Sequence, residues 1–171
     1  MQLLIIRHAI AEDRDEFASS GRPDSERPLT AFGRRRMRKN AKGLKRVAPP
    51  IDLLVTSPYA RALDTAGIIA ETLGIKTGPT KVQALTPEHH PKDFLAWLAK
   101  QKRAQTVAAV GHDPHLSRLI GWCVASFDAP IADLKKGGVY LLAWEENAPP
   151  EAGKAKLAWL LAPAHLRAIA D

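Results

Sequence analysis

The feature that most constrains this chain is a short run near its N-terminus, Leu3-Leu4-Ile5-Ile6, which breaks off abruptly at Arg7-His8. An apolar run with no polar alternation predicts a strand covered on both faces, as in the parallel sheet of an α/β protein. Two later segments repeat the form. Asp52-Leu53-Leu54-Val55 gives way to Thr56-Ser57, and Thr106 to Val110 gives way to Gly111-His112-Asp113. Parallel strands align their carboxyl ends along one rim, where sites form in open α/β sheets. The three polar strand ends, distant in sequence, are therefore expected to meet.

Helical segments fall between these strands. Thr30 reads as the N-cap of a helix with Met37, Ala41, Leu44 and Val47 facing inward, ended by Pro49-Pro50. Ser57-Pro58 predicts a second start, with Ser as cap and Pro at the first helical position. Ala62, Ala66, Ile69 and Leu73 share its inner face, and Gly74 stops it. Pro91 opens a helix with Phe94, Leu95 and Leu98 inward, and Leu116, Leu119, Ile120 and Cys123 mark another. Residues 11 to 27 are polar and read as a long loop, and Thr80 to Leu85 as a short strand. Val139 to Trp144 and Leu157 to Leu161 have no helix between them, so they are expected to pair antiparallel at the sheet edge. The pattern predicts a three-layer α/β/α sandwich around a mainly parallel sheet.

Length and charge narrow the class. The 171 residues fit one domain spanning 1–171, and 46% hydrophobic with 25% charged residues describes a globular chain. Lys and Arg number 25 against 18 Asp and Glu, a net charge of +7 that favours anionic partners. The basic helix Arg34 to Arg46 reads as a solvated face; with no interleaved aromatics or nucleic-acid motif, no nucleic-acid partner is expected. A single cysteine, Cys123, cannot form an internal disulfide and fits core packing in a reducing compartment. No signal peptide or membrane-spanning run is apparent, so a cytoplasmic protein without a membrane partner is expected.

The residues at the strand ends suit phosphate chemistry. A neutral imidazole is a nucleophile near neutral pH, which singles out His8. Arg7 and Arg61 offer planar, permanently charged forks to phosphate oxygens, and His112 a second imidazole. A helix start between Ser57 and Arg61 adds backbone donors. Arg27 could reach a substrate phosphate or a partner's acidic face, or be merely solvated. Asp113 could orient His112 or cap a helix; His89, His90 and His165 read as solvent-exposed. His112 and His115 are spaced like metal ligands, but no carboxylate or cysteine cluster supports a metal, and none is expected.

Arg7-His8-Ala9 after an N-terminal strand resembles the signature of the histidine phosphatase, or phosphoglycerate mutase-like, superfamily. Ser57-Pro58-Tyr59-Ala60-Arg61-Ala62-Leu63-Asp64-Thr65-Ala66 resembles its second motif and Gly111-His112 its third. Arg27-Pro28-Leu29-Thr30, the Ala after Arg-His and the Gly-His-Asp-Pro-His run resemble the SixA-type branch of phosphohistidine phosphatases. The resemblance implies a phosphoglycerate mutase-like fold and attack by His8 on phosphorus. It also implies that Arg7, Arg61 and His112 hold the phosphoryl oxygens, with no cofactor, and that phosphate or another oxyanion binds there.

Larger relatives carry an insertion with a proton-donating carboxylic acid between the second and third motifs. Here that stretch is short and offers mainly Glu88, with Asp93 nearby. An imidazole leaving from a phosphoramidate depends less on such an acid than an alkoxide does. The expected substrate is thus phosphohistidine on a partner protein. The alternatives are small phosphomonoesters, such as sugar or nucleotide metabolites, and a non-catalytic anion-binding module.

Overall fold

The computed structural model describes residues 1–171, and its centre is one six-stranded sheet in the order β3-β2-β4-β1-β5-β6. β1 (Gln2–Arg7), β2 (Leu53–Thr56), β3 (Thr80–Lys81) and β4 (Thr106–Gly111) run parallel. β5 (Val139–Ala143) and β6 (Lys156–Leu161) complete the sheet antiparallel, as their helix-free connection implies. The α/β class with an antiparallel edge is the one expected.

Alternate side chains of each parallel strand feed two separate cores. Leu3, Ile5, Val107 and Ala109 pack with α4 (Pro91–Leu98) and α5 (His115–Ala125) on one face. Leu4, Ile6, Ala108 and Val110 pack with α2 (Ala31–Val47), α3 (Ala60–Leu73) and α6 (Pro163–Ala170) on the other. All four apolar side chains of β1 are fully buried. Each stabilises the fold by about 1.5–3 kcal/mol, which locks the strand ending at His8 into the middle of the sheet.

Several local expectations are corrected. The stretch 11 to 27 is not an open loop: it holds the helix α1 (Arg14–Ala18), capped by Asp13, and a 3-10 turn at Asp24–Glu26. The stretch from Thr80 gives only a two-residue strand and then turns 3-10 at Gln83–Leu85. Val47, the last residue of α2, is exposed and not part of its buried stripe. α3 starts at Ala60 after Tyr59; the Ser57 hydroxyl accepts from the Tyr59 amide at 3.3 Å and also contacts His112, just beyond β4, at 2.8 Å. α6 was not anticipated, although Pro163 at its first turn and the buried Leu166 are its marks. It packs tightly on α2, where Gly43 meets the Leu166 carbonyl.

Candidate functional site

The three parallel strand ends meet as the strand order requires. Arg7 pairs with Gly111 across β1 and β4, and the His8 amide donates to the Gly111 carbonyl at 3.0 Å. The His8 and His112 rings lie 5.1 Å apart between centroids. The Ser57 amide donates to the Val110 carbonyl at 2.9 Å, which brings the β2 end alongside. His8, Ser57, Arg61 and His112 are all buried, and together they form one polar cluster at the carboxyl rim.

Each imidazole has one nitrogen engaged. His8 Nδ1 lies 2.7 Å from the Ala9 carbonyl, so Nδ1 carries the proton and Nε2 keeps the lone pair. His8 Nε2 has no protein partner and is not among the buried unpartnered atoms, so it faces solvent. His112 Nε2 contacts the Ser57 hydroxyl at 2.8 Å, leaving Nδ1 buried without a partner. Burial lowers His8 to about 3; the Ala9 carbonyl opposes this, and the Arg61, Arg7 and Lys136 charges add to it. Burial, then Arg61 and His8, lowers His112 to about 2. Both rings are neutral at physiological pH.

The arginines have free donors aimed inward. Arg61, in the first turn of α3, is 2% exposed and its Nε is buried without a partner. Nη1 of Arg61 donates to the Asp24 carbonyl at 2.7 Å and Nη2 to the Asp24 carboxylate at 3.0 Å. Arg7 Nη1 donates to the Leu134 carbonyl at 2.7 Å, while its Nε is likewise buried and unpartnered. Buried donors are normally satisfied, and leaving one unmade costs about 1–3 kcal/mol. Two such guanidinium nitrogens and the unpartnered His112 Nδ1 lie in the cluster with His8, a composition that suits a tetrahedral anion.

The remaining expected residues fall around this cluster. Arg27 is not solvated: it is 7% exposed, with Nε on Asp24 at 2.7 Å and Nη1 on the Glu12 carbonyl at 2.7 Å. Ser57 serves His112 directly. Glu88 lies at the rim, where it accepts from the Tyr59 hydroxyl at 2.6 Å. Burial would raise Glu88, yet the Tyr59 hydrogen bond and further donors hold it below the usual carboxylate range. Asp113 neither caps α5 nor touches His112; it accepts from the Ser117 hydroxyl. His90 is half-buried, caps α4 and meets Asp128 at 2.9 Å, whereas His89 and His165 are exposed as expected. No group of three or more His, Cys, Asp or Glu is placed to hold a metal ion.

Three contributors escaped the sequence reading. Asp24 joins Arg27 to Arg61. Tyr59 sets its ring edge 5.0 Å from His112 and lies 5.0 Å under the Arg61 guanidinium. The Thr65 hydroxyl donates to the Arg61 carbonyl at 2.7 Å and accepts from the Ala9 amide at 3.0 Å, tying α3 to the segment after His8. Thr65 lies four residues after Arg61, on the same helix face, which is the one signal that could have pointed to it.

Known proteins resemble this chain in sequence and fold. The model of the histidine phosphatase superfamily (branch 1) matches residues 3–85. An uncharacterised protein of Picosynechococcus sp. is 33% identical over 141 residues, covering 81% of this chain and 82% of that protein. The structure of the protein histidine phosphatase SixA complexed with tungstate is similar, with a TM-score of 0.80, 24% identity and 97% and 99% of the two chains covered. The α-ribazole phosphatase from Shigella flexneri is also similar, with a TM-score of 0.70, 18% identity and 95% and 97% covered. Together with the converging strand ends, these likenesses lead to one conclusion: the chain belongs to the histidine phosphatase superfamily.

Proposed function

We propose that this protein is a phosphohistidine phosphatase of the SixA type, working through a phosphoenzyme at His8. One observation carries the reading. His8 Nε2 is the open, unprotonated nitrogen, and the unpartnered Arg7 Nε, Arg61 Nε and His112 Nδ1 are buried around the same rim. Nε2 attacks phosphorus, the substrate's P–N bond breaks, and the departing imidazole nitrogen takes a proton from solvent. Water then attacks the phosphorus of phospho-His8 and releases inorganic phosphate and the free imidazole. Throughout, the donors of Arg7, Arg61 and His112 oppose the charge on the phosphoryl oxygens. The likeness to a protein that binds tungstate, itself a tetrahedral oxyanion, supports such a cradle.

Glu88 favours phosphohistidine over an alkyl phosphate. A carboxylate held ionised by Tyr59 is a poor proton donor, and an alkoxide leaving group needs one. The second reading is a phosphatase of small phosphomonoesters; it is favoured by the placement of Glu88 one side chain from His112 and by similar folds among enzymes of small phosphates. The lone thiol, Cys123, suits a reducing cytoplasm; burial pushes it up to about 12, so it stays protonated in the core.

The test is a phosphohistidine peptide carrying labelled phosphate, with rapid quenching and mapping of acid-labile label. Label on His8, and turnover abolished in a folded His8→Ala variant, are expected. So is a kcat/KM for phosphohistidine about 100-fold above that for a phosphomonoester. Label on another residue removes His8 as the nucleophile, and equal turnover of the two substrates removes the phosphohistidine assignment.

A further inference from the structure

A groove of about 600 Å³ opens directly beside the candidate site, sharing Arg7 and Ala9 with it. Its charge is one-sided. Arg7 from β1, Arg36 from α2, Lys135 and Lys136 from the segment before β5, and Arg167 from α6 all line it. Its only acid, Asp133, is already paired with Lys135. Arg36, Lys136 and Arg167 have no carboxylate within ion-pair distance. A second depression continues past Phe32, Arg36 and Arg167 and adds only more cations, Arg35 and Lys39.

This is more than the polar side of one basic helix. The cations come from four segments distant in sequence, and the fold brings them together. The Gly137 amide donates to the Arg7 carbonyl at 3.0 Å, which pins the Lys135-Lys136 segment against the end of β1. α6 packs on α2 through Gly43, which sets Arg167 alongside Arg36. Partial burial and the Arg7 charge hold the Lys136 ammonium below its ordinary value. Like charges gathered without counter-charges repel each other, so the arrangement lowers stability unless an anion covers it. In the middle lies Phe32, 47% exposed, with the Arg36 guanidinium 4.9 Å above its ring. An exposed aromatic flanked by arginines is the composition of a protein-contact anchor.

We propose that this groove docks an acidic face of the phosphohistidine-bearing protein, next to the phosphorylated residue. The inference rests on the phosphohistidine reading, because the groove starts at Arg7 and any macromolecule presenting its imidazole to His8 must lie over the adjoining surface. Charge complementarity identifies the occupant: carboxylates meet Arg36, Lys136 and Arg167, and an apolar side chain meets Phe32. Electrostatic steering then raises the encounter rate and makes it sensitive to salt.

The test uses two phosphohistidine peptides of equal length, one with Asp and Glu around the phosphohistidine and one with Lys, together with phosphoramidate as a small substrate. The expected result is a kcat/KM about tenfold higher for the acidic peptide, a preference that shrinks as salt rises from about 50 to 500 mM. Arg36→Glu/Arg167→Glu erases the preference and leaves phosphoramidate turnover unchanged. Arg36→Ala alone, an exposed truncation that leaves packing intact, halves the preference or more. Equal turnover of the two peptides by the wild type, or an unchanged preference in the variants, overturns the proposal. So does tight binding of a single-stranded oligonucleotide that is lost on charge reversal without any peptide preference. Failure of the phosphohistidine reading itself looks different: neither peptide nor phosphoramidate turns over while a phosphomonoester does, and the docking proposal falls with it.

Discussion

Asp24 grips Arg61 twice: its carboxylate lies 3.0 Å from Nη2 and its backbone carbonyl 2.7 Å from Nη1. The same carboxylate takes Arg27 Nε at 2.7 Å, so one acid from the 3-10 turn aligns two buried guanidinium groups. These contacts hold the Arg61 guanidinium in place and leave its buried Nε–H without a protein partner. Asp24→Asn keeps the carbonyl contact and removes the charge. It is expected to lower kcat/KM about 10-fold or more and stability by about 1–2 kcal/mol, a modest loss because Asp24 is partly exposed. Steady-state kinetics and urea unfolding check both; unchanged kinetics would leave Asp24 a purely structural residue.

The same carboxylate predicts a pH dependence. Burial raises Asp24, but the Arg27 hydrogen bond and the Arg61 and Arg27 charges outweigh it and hold the group below its ordinary value. A depressed carboxylate contributes stability above its unfolded pKa of about 3.9 and loses it as pH falls through the lower folded value. Acid unfolding of Asp24→Asn between about pH 4 and pH 2 should therefore be shallower than that of the wild type.

His115 is fully buried with both ring nitrogens unpartnered, and burial, helped by Arg118 and the neighbouring histidines, lowers it to about 4. The native state keeps this ring neutral while the unfolded chain protonates near pH 6.5. Stability is thus present above about 6.5 and lost as pH falls toward about 4. His115→Leu is expected to be neutral or stabilising at pH 7 and to remove about 2 kcal/mol of the difference between pH 7 and pH 5. Guanidinium titrations at the two pH values decide it; an unchanged difference would mean His115 is protonated in the native state.

For the reaction, the lowering of His8 to about 3 means that its own ionisation produces no loss of kcat/KM between pH 8 and pH 5. A profile corrected for substrate ionisation checks this. An acid limb near 6.5 in the corrected wild-type profile that persists in His112→Asn would contradict it.

Gly43→Ala places a methyl against the Leu166 carbonyl of α6, backbone that cannot swing aside. A cost of about 1–3 kcal/mol is expected. Because α6 supplies Arg167, the salt dependence of peptide turnover should weaken in parallel, while phosphoramidate turnover stays near the wild-type value. A thermal melt and the two assays together give the comparison.

What the sequence made legible followed from burial. Leu3 to Ile6, Leu53 to Val55 and Thr106 to Val110 are strands because each is apolar on both faces, and their order placed His8, Arg61 and His112 at one rim. Polar segments were harder to read. Residues 11 to 27 fold through capping by Asp13 and through ion pairs of Asp24, which depend on where Arg61 arrives from another part of the chain. Ser57 looked like a helix cap because its local pattern is that of one. Its hydroxyl does accept from the Tyr59 amide, but its second contact, with His112 just after β4, comes from a distant part of the chain. The cationic groove was invisible for the same reason, since no single stretch of sequence contains it.

The strand order also sets a rule for biosynthesis. β1 leaves the ribosome first, yet its neighbours in the sheet are residues 106–111 on one side and 139–143 on the other. A nascent chain therefore leaves both edges of the nucleophile-bearing strand unpaired until residues 106–111 are made, and one edge open until residues 139–143 follow. Pairings this distant fold slowly, and unpaired apolar strands are prone to aggregate. Fragments ending before β5 should accordingly be insoluble and without turnover, however complete their motifs.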